Sequence, residues 1–437
     1  VPSSLYVPTM SRSELAWVMS GAKLVYYGTP AAVSDAITWQ DIVTLDLGLD
    51  LSLFNELNIT FDWYRRDTKN MIVGAEGLGI GFGTTAPKGN YGSLRTHGWE
   101  VAVNYGHMFD NGFSLSATAT LADAVSTITE YGTATGIDGW YNGKTYGEIW
   151  GFEVDRLYQN EDFARDAEGK LIEIKTKDGY RAYQMTDPNA PTQGYLNSGN
   201  LIFGPGDVKY KDLNGDGVIN KGASSITIID DPKDPNYGKP NYGDLTVIGN
   251  TTPRYEYSFR VDMAWHGVDL GIFFQGVGKR DLWGSSSLTL PGFNSGDGSM
   301  AASFANDFWY ETIENGKVVD ANYDAFYPRA ANCGGSNVFN MQVNDRYLLN
   351  MAYLRLKNVT LGYTFPAKWM NKANIQKLRI YASLENFLTF DHLNGLPIDP
   401  EVMPGYSVLN ESNYNSGRAG LGTPAFKTAS LGLQITF

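Results

Sequence analysis

Apolar and polar residues alternate along many stretches of this chain, with a period of two. In "DIVTLDLGLDLSL", Val43, Leu45, Leu47, Leu49, Leu51 and Leu53 fall on one side; Thr44, Asp46, Gly48, Asp50 and Ser52 fall on the other. "LNITFDWY" sets Leu57, Ile59, Phe61 and Trp63 against Asn58, Thr60, Asp62 and Tyr64, and "YEYSFRVDMAW" sets Tyr257, Phe259, Val261 and Met263 against Glu256, Ser258, Arg260 and Asp262. "GWEVAVNYGHMF", "FSLSATATLA", "VDLGIFFQ", "NVTLGYTF", "LRIYASLENF" and the terminal "TASLGLQITF" follow the same rule. Period two is the mark of a strand with one oily and one polar face. Strands are predicted at about 42–54, 57–69, 95–109, 113–128, 253–265, 268–281, 354–365, 378–390 and 427–437, with a tenth near "AWVMSGAKLVYYG". "YGEIWGFEVDRLYQ" (146–159) is strand-like but has no place in the same series.

The faces decide what covers the oily side. The outer face of a soluble sandwich is rich in Lys and Glu, but the polar faces here carry Asp, Asn, Ser, Thr and Gly with little Lys. The oily faces begin or end in aromatics such as Trp63, Trp99, Tyr105, Phe109, Trp265, Tyr363, Phe365 and Phe437. Aromatics at strand ends mark the interfacial girdles of a membrane barrel. The predicted strands also exceed the ~5–6 residues usual in globular proteins and reach the ~9–11 that a tilted membrane strand needs. Connections alternate between short (55–57, 110–111, 266–267, 366–376) and long (70–94, 132–251, 284–352, 391–426). If the last strand ends in the periplasm, every short turn lies there and every long loop lies outside, as in outer-membrane barrels. A sheet in lipid must close, because an open edge strands unpaired backbone groups. Nine or ten strands with loops this long therefore read as the second half of a larger barrel. The expected fold is all-β: the C-terminal half of a large antiparallel transmembrane β-barrel with long extracellular loops.

Several blocks carry a family resemblance. "DLGLDLSLFNELNITFDWYRRDTKNMI", "GDVKYKDLNGDGVIN", "GDLTVIGNTTPRYEYSFRVDMAWHGVDLGIFFQGV", "NDRYLLNMAYLRLKNVTLGYTFP" and "LRIYASLENFLTFDHLNGLPIDPE" resemble, in family order, the SusC-like (RagA/SusC) TonB-dependent outer-membrane transporters. The resemblance implies about twenty-two strands in the complete protein, an N-terminal plug, a SusD-like surface lipoprotein as lid, TonB as the periplasmic partner, and a Bacteroidota-type cell outer membrane. The plug, the TonB-contacting segment and the first half of the barrel are not in residues 1–437. The chain, which opens "VPSSLYVPTM" without Met or a signal peptide, is therefore expected to be the C-terminal part of a longer polypeptide.

Composition narrows the function classes. A formal net charge of −13 argues against a nucleic-acid partner, which wants a basic surface. The single cysteine, Cys333, rules out an internal disulfide and a cysteine metal site. No apolar run reaches the ~18 residues of a membrane helix. "DLNGDGVIN" is the sharpest local motif. Asp212, Asn214 and Asp216 take positions 1, 3 and 5 of an EF-hand-like loop, Gly217 takes the turn at 6, and Val218 supplies the carbonyl at 7. Hard oxygen ligands at that spacing suit Ca²⁺. Position 12 is Ala223, which cannot ligate, so Asp244 in "GDLTVIG" is the candidate for the missing carboxylate. The alternative is an Asx-rich turn that needs no metal.

Elsewhere the bland reading is stronger. Asp230–Asp231 sits in a Pro/Gly/Asn-rich loop, "GLGIGFG" (77–83) lacks the βα context of a phosphate cradle, and no nucleophile or zinc motif appears. Trp140, Tyr141, Trp150, Trp309 and Tyr310 are expected to form the small cores of long loops rather than sugar platforms. Asp46, Asp50, Asp62, Glu100, Glu256 and Asp262 would line a polar barrel interior, in contact with the plug rather than substrate. The leading expectation is TonB-dependent import of an oligosaccharide or peptide, with no enzymatic activity. A passive porin or structural barrel, or a secreted calcium-dependent glycan-binding β-protein, are the alternatives.

Overall fold

The computed structural model describes residues 8–19, 21–30, 32–34, 37–74, 86–132, 136–137, 139–222, 229, 231–233, 237–238, 240–284, 289–291, 302–305, 307–315, 317–331, 338–370, 375–401 and 425–437. Ala223, Asp230 and the glycine run 77–83 lie outside these residues.

The alternating segments form one nine-stranded antiparallel sheet: β1 (Asp41–Leu53), β2 (Leu57–Val73), β3 (Gly89–Met108), β4 (Ser114–Glu130), β5 (Arg254–Trp265), β6 (Val268–Lys279), β7 (Tyr353–Thr364), β8 (Lys377–Asp391) and β9 (Thr428–Thr436). Each strand pairs with the next in sequence, so the order is a simple up-and-down meander. The sheet does not close on itself. The expected tenth strand does not join it: Arg12–Met19 and Ala22–Tyr27 pair only with each other, as a separate hairpin. "YGEIWGFEVDRLYQ" stays outside the sheet, as the sequence required. Its two short strands pair with Leu245–Asn250 and Val208–Tyr210.

Register fixes the faces. Leu53, Leu57, Tyr105, Ala117, Val261, Ile272, Val359, Leu384 and Ala429 are successive cross-strand partners, an apolar row across all nine strands. One residue along, Ser52, Asn58, Asn104, Thr118, Arg260, Phe273, Asn358, Glu385 and Thr428 form a row that is polar but for Phe273. The apolar face is bare. Phe259 on β5 and Leu361 on β7, each flanked by strands on both sides, are 46% and 53% exposed. No second sheet packs on it among the described residues. The apolar face that starts at Trp99 in β3 ends at Phe109, one residue past the strand. Ten steps of ~3.4 Å, tilted ~35–45°, span about 25 Å, the height of a barrel's apolar band.

The phase of the apolar face is held where the sequence breaks it. In β7 the apolar residues are Leu354 and Leu356, then Val359 and Leu361. The register skips at Lys357 against both neighbours, and this bulge returns both sets to one side. At the tightest turn, His266 and Gly267 both take positive φ (48° and 87°), as a two-residue hairpin demands.

Because the meander is antiparallel, the turns 54–56, 109–113, 266–267 and 365–376 share one end of the sheet. The connections 74–88, 131–253, 280–352 and 392–427 share the other. The main buried core lies not in the sheet but in two of these connections. Phe152, Tyr158, Val208, Tyr210 and Ile219 from the first pack with Leu290, Phe339, Met341 and Tyr347 from the second.

Candidate functional site in the long connections

The loop "DLNGDGVIN" is held by its own polar side chains. Asp212 accepts N–H groups from Gly215 (2.7 Å) and Gly217 (2.9 Å), and Asn214 Oδ1 accepts from Asp216 (3.0 Å). Asp216 Oδ1 accepts from Val218 N–H (2.8 Å) and Oδ2 from Asn214 Nδ2 (2.9 Å). Gly215 and Gly217 sit at φ 77° and 81°, which a side chain would strain. Asp244 is brought to this loop from 26 residues beyond Val218, as the sequence proposed, and is fully buried there. Its two oxygens accept the N–H groups of Leu213 and Asn220, both at 2.8 Å, clamping the two ends of the loop. Burial, with a smaller push from the Asp212 carboxylate, raises Asp244 to about 6 against the pull of those N–H groups. Among the described residues no group of three or more His, Cys, Asp and Glu side chains is spaced to hold a metal ion. The oxygen set of the loop thus depends on the Asn214 amide and the Val218 carbonyl beside its carboxylates. Carboxylate oxygens that accept one N–H keep a second lone pair, so the donors fit a hard cation without losing the turn.

A second polar cluster, which the sequence did not mark, ties the two large connections together. Asp207 is fully buried and receives Arg329 through two 2.7 Å contacts, Asn340 Nδ2 at 2.7 Å and Gly204 N–H at 2.8 Å. Asn340 Oδ1 accepts Val208 N–H at 2.9 Å, and Tyr210 donates its hydroxyl to Phe339 O at 3.0 Å. Burial pushes the Asp207 carboxyl upward, and the guanidinium opposes it. A lone Asp before a strand has no signature; its partners lie 122 and 133 residues away.

The flagged aromatics divide. Trp309 is in the core. Trp150 donates to Glu148 at 2.8 Å and packs on Tyr242, and Tyr141 hydrogen-bonds Glu148. Tyr310 donates to Asp320 at 3.1 Å. Trp140 is instead 40% exposed, stacked on Tyr146 with centroids 5.7 Å apart. The last long connection is anchored to the polar face of the sheet: Arg355 on β7 binds Asp399 and Glu401, and Lys357 binds Glu401. The acidic residues Asp46, Asp50, Asp62 and Glu100 stand together on that face of β1–β3, with Asp62 directly opposite Glu100.

Comparison with known proteins agrees with this architecture. Residues 20–180 match the family described as TonB dependent receptor-like, beta-barrel. TonB-dependent receptor P3 of Formosa agariphila is 25% identical over 92% of this chain, and the match covers 35% of that receptor. TonB-dependent receptor SusC of Bacteroides thetaiotaomicron is 23% identical over 94% of this chain and 34% of its own length. The chain thus spans about a third of the length of these relatives, which are receptors and transporters rather than enzymes. Among solved structures, the RagAB peptide transporter superposes with a TM-score of 0.61 at 16% identity, over 99% of this chain and 39% of that one. A nine-stranded meander with a bare apolar face, tight turns at one end and packed connections at the other has the architecture of part of an outer-membrane β-barrel, and it is similar to the barrels of SusC-like TonB-dependent receptors of the Bacteroidota type.

Proposed function

We propose that this chain belongs to an active importer that carries a nutrient oligomer, an oligosaccharide or a peptide, across the outer membrane. The connections 131–253 and 280–352 form the extracellular side, a SusD-like lipoprotein closes over them, and TonB drives passage from the periplasm. The observation that carries this reading is the buried core shared by those two connections at one end of the sheet. A merely structural barrel has no need of such an ordered vestibule. The kinship with SusC and the likeness to a peptide transporter support it. The test is uptake of labelled oligosaccharides and peptides by cells producing the complete protein. Uptake should vanish when TonB is deleted; uptake that continues would mark a passive pore.

The Asp212–Val218 loop is proposed to take Ca²⁺, held by Asp212, Asn214, Asp216 and the Val218 carbonyl, with Asp244 behind them. The ion would neutralise Asp212 and Asp244, whose carboxylates repel each other and form no ion pair among the described residues. Calcium titration by calorimetry should show binding that Asp212→Asn and Asp216→Asn each abolish. No heat from the unaltered protein would leave the loop an Asx-rich turn.

A further inference from the structure

Connections 280–352 and 392–427 leave a cavity of about 350 Å³ between them. Its wall joins the rings of Phe326, Tyr327 and Tyr347 to the polar groups of Arg346, Asn350 and His392. Tyr327 and Tyr347 stack with centroids 5.8 Å apart and planes at 13°, and Phe326 meets Tyr347 edge-on at 5.5 Å. The rings brace one another, so the wall is preformed. The volume falls in the ~300–1,000 Å³ range of sites for small molecules.

Arg346 gives the cavity its chemistry. Its Nε donates to Phe326 O at 2.8 Å and its Nη2 to Ala325 O at 3.0 Å, while the guanidinium lies over the Phe326 ring. A guanidinium has five N–H donors, and these bonds use two. Arg156, Arg329 and Arg355 in the neighbouring connections and strand each bind a carboxylate; Arg346 binds none among the described residues. In a chain of net charge −13, a half-buried cation held by two main-chain carbonyls, the Phe326 ring and the Tyr347 side chain has its direction set and no carboxylate paired with it among the described residues. A carboxylate completes it, with the bidentate geometry that favours arginine over lysine.

We propose that this cavity binds a carboxylate carried on a compact residue, with Arg346 as its anchor, His392 and Asn350 as further polar contacts, and the aromatic wall covering the apolar side. The proposal rests on the reading that these connections face the incoming nutrient. A uronic acid in an oligosaccharide and the end of a peptide both present this chemistry.

The experiment is calorimetry on the complete polypeptide in detergent, titrated with galacturonate and with N-acetyl-dialanine, each beside its uncharged amide. At least one acid should bind, with its amide about tenfold weaker or worse. Arg346→Gln should cost about tenfold, and His392→Ala, an exposed side chain, a few-fold. Binding of the sugar acid alone assigns a glycan source; binding of the peptide acid alone assigns a peptide. The acid–amide comparison needs no variant, so it stands even if Arg346→Gln misfolds. Neither acid binding, or acid and amide binding alike, overturns the proposal. Binding is read without TonB, so a failure of import and a failure of this site are separate results.

Discussion

At the residue scale, the buried carboxylates Asp207 and Asp244 sit in the connections and the buried Arg355 on β7, and each is answered by hydrogen bonds or an opposite charge. Asp207 has Arg329, Asn340 and a backbone N–H; removing the carboxylate strands a guanidinium inside the core of the two large connections. Asp207→Ala should therefore cost about 3–5 kcal/mol, as breaking a buried pair does. Limited proteolysis should show the damage as cleavage within 131–253 and 280–352 while the sheet stays protected. Asp162 behaves differently. Burial raises it, but Arg156 and the Gln159 N–H outweigh that and hold it below its ordinary 3.8. A depressed carboxylate stabilises the fold above its unfolded pKa and loses that contribution as pH falls through the folded one. The melting temperature of Asp162→Asn should thus lie below that of the parent at pH 7, and the two should converge as pH drops below about 3.8. Among the candidate ligands, Asp212, Asn214 and Asp216 were legible because their spacing is local. Asp207, Arg346 and His392 were not, because each gains meaning only from residues far along the chain.

At the element scale, each strand is specified twice, by its alternation and by its turn. The two faces make opposite predictions for one substitution. Val261 lies in the apolar row, midway between Tyr257 and Trp265 on the same face; Val261→Arg should cost about 2–4 kcal/mol by unfolding titration in detergent or lipid. Ser116, on the polar face opposite Asp262, should accept Arg with little change. The bulge at Lys357 gives a sharper test. Deleting that residue sets Leu356 directly before Asn358, so plain alternation keeps Leu354 and Leu356 on the apolar side and Arg355 on the polar side with Asp399 and Glu401. The deletion should therefore still assemble in the outer membrane and, like Lys357→Ala, lose only the Glu401 contact of Lys357; failure of the deletion alone would show that the bulge itself is required. The hairpin near residues 12–27 shows where alternation falls short. Period two identifies a strand but does not say which strand it joins.

At the scale of the whole molecule, the distribution of burial is inverted relative to a soluble β-protein. The sheet leaves its apolar face bare, and the core sits in the connections beyond it. Exposed apolar surface on this scale calls for lipid. The purified protein should run as a single species in detergent by size-exclusion chromatography and aggregate when detergent is removed. A chain that stays monodisperse in plain buffer would contradict the membrane assignment. Both outer strands, β1 and β9, carry a free edge in the nine-stranded sheet. In lipid such edges must be paired, which accords with relatives about three times as long.

The sequence by itself determined the strands, their faces and the alternation of short and long connections, because each follows from contacts between near neighbours: period two, turn residues and loop length. It also determined the calcium-type loop as a local pattern of oxygen donors. Only the tertiary structure decided that the two large connections share one core, that Asp244 clamps the loop by its backbone, and that Arg346 meets an aromatic wall and His392 around a cavity. Those arrangements join residues tens to more than a hundred positions apart. Side-chain packing brings them together, and no periodicity along the chain records it.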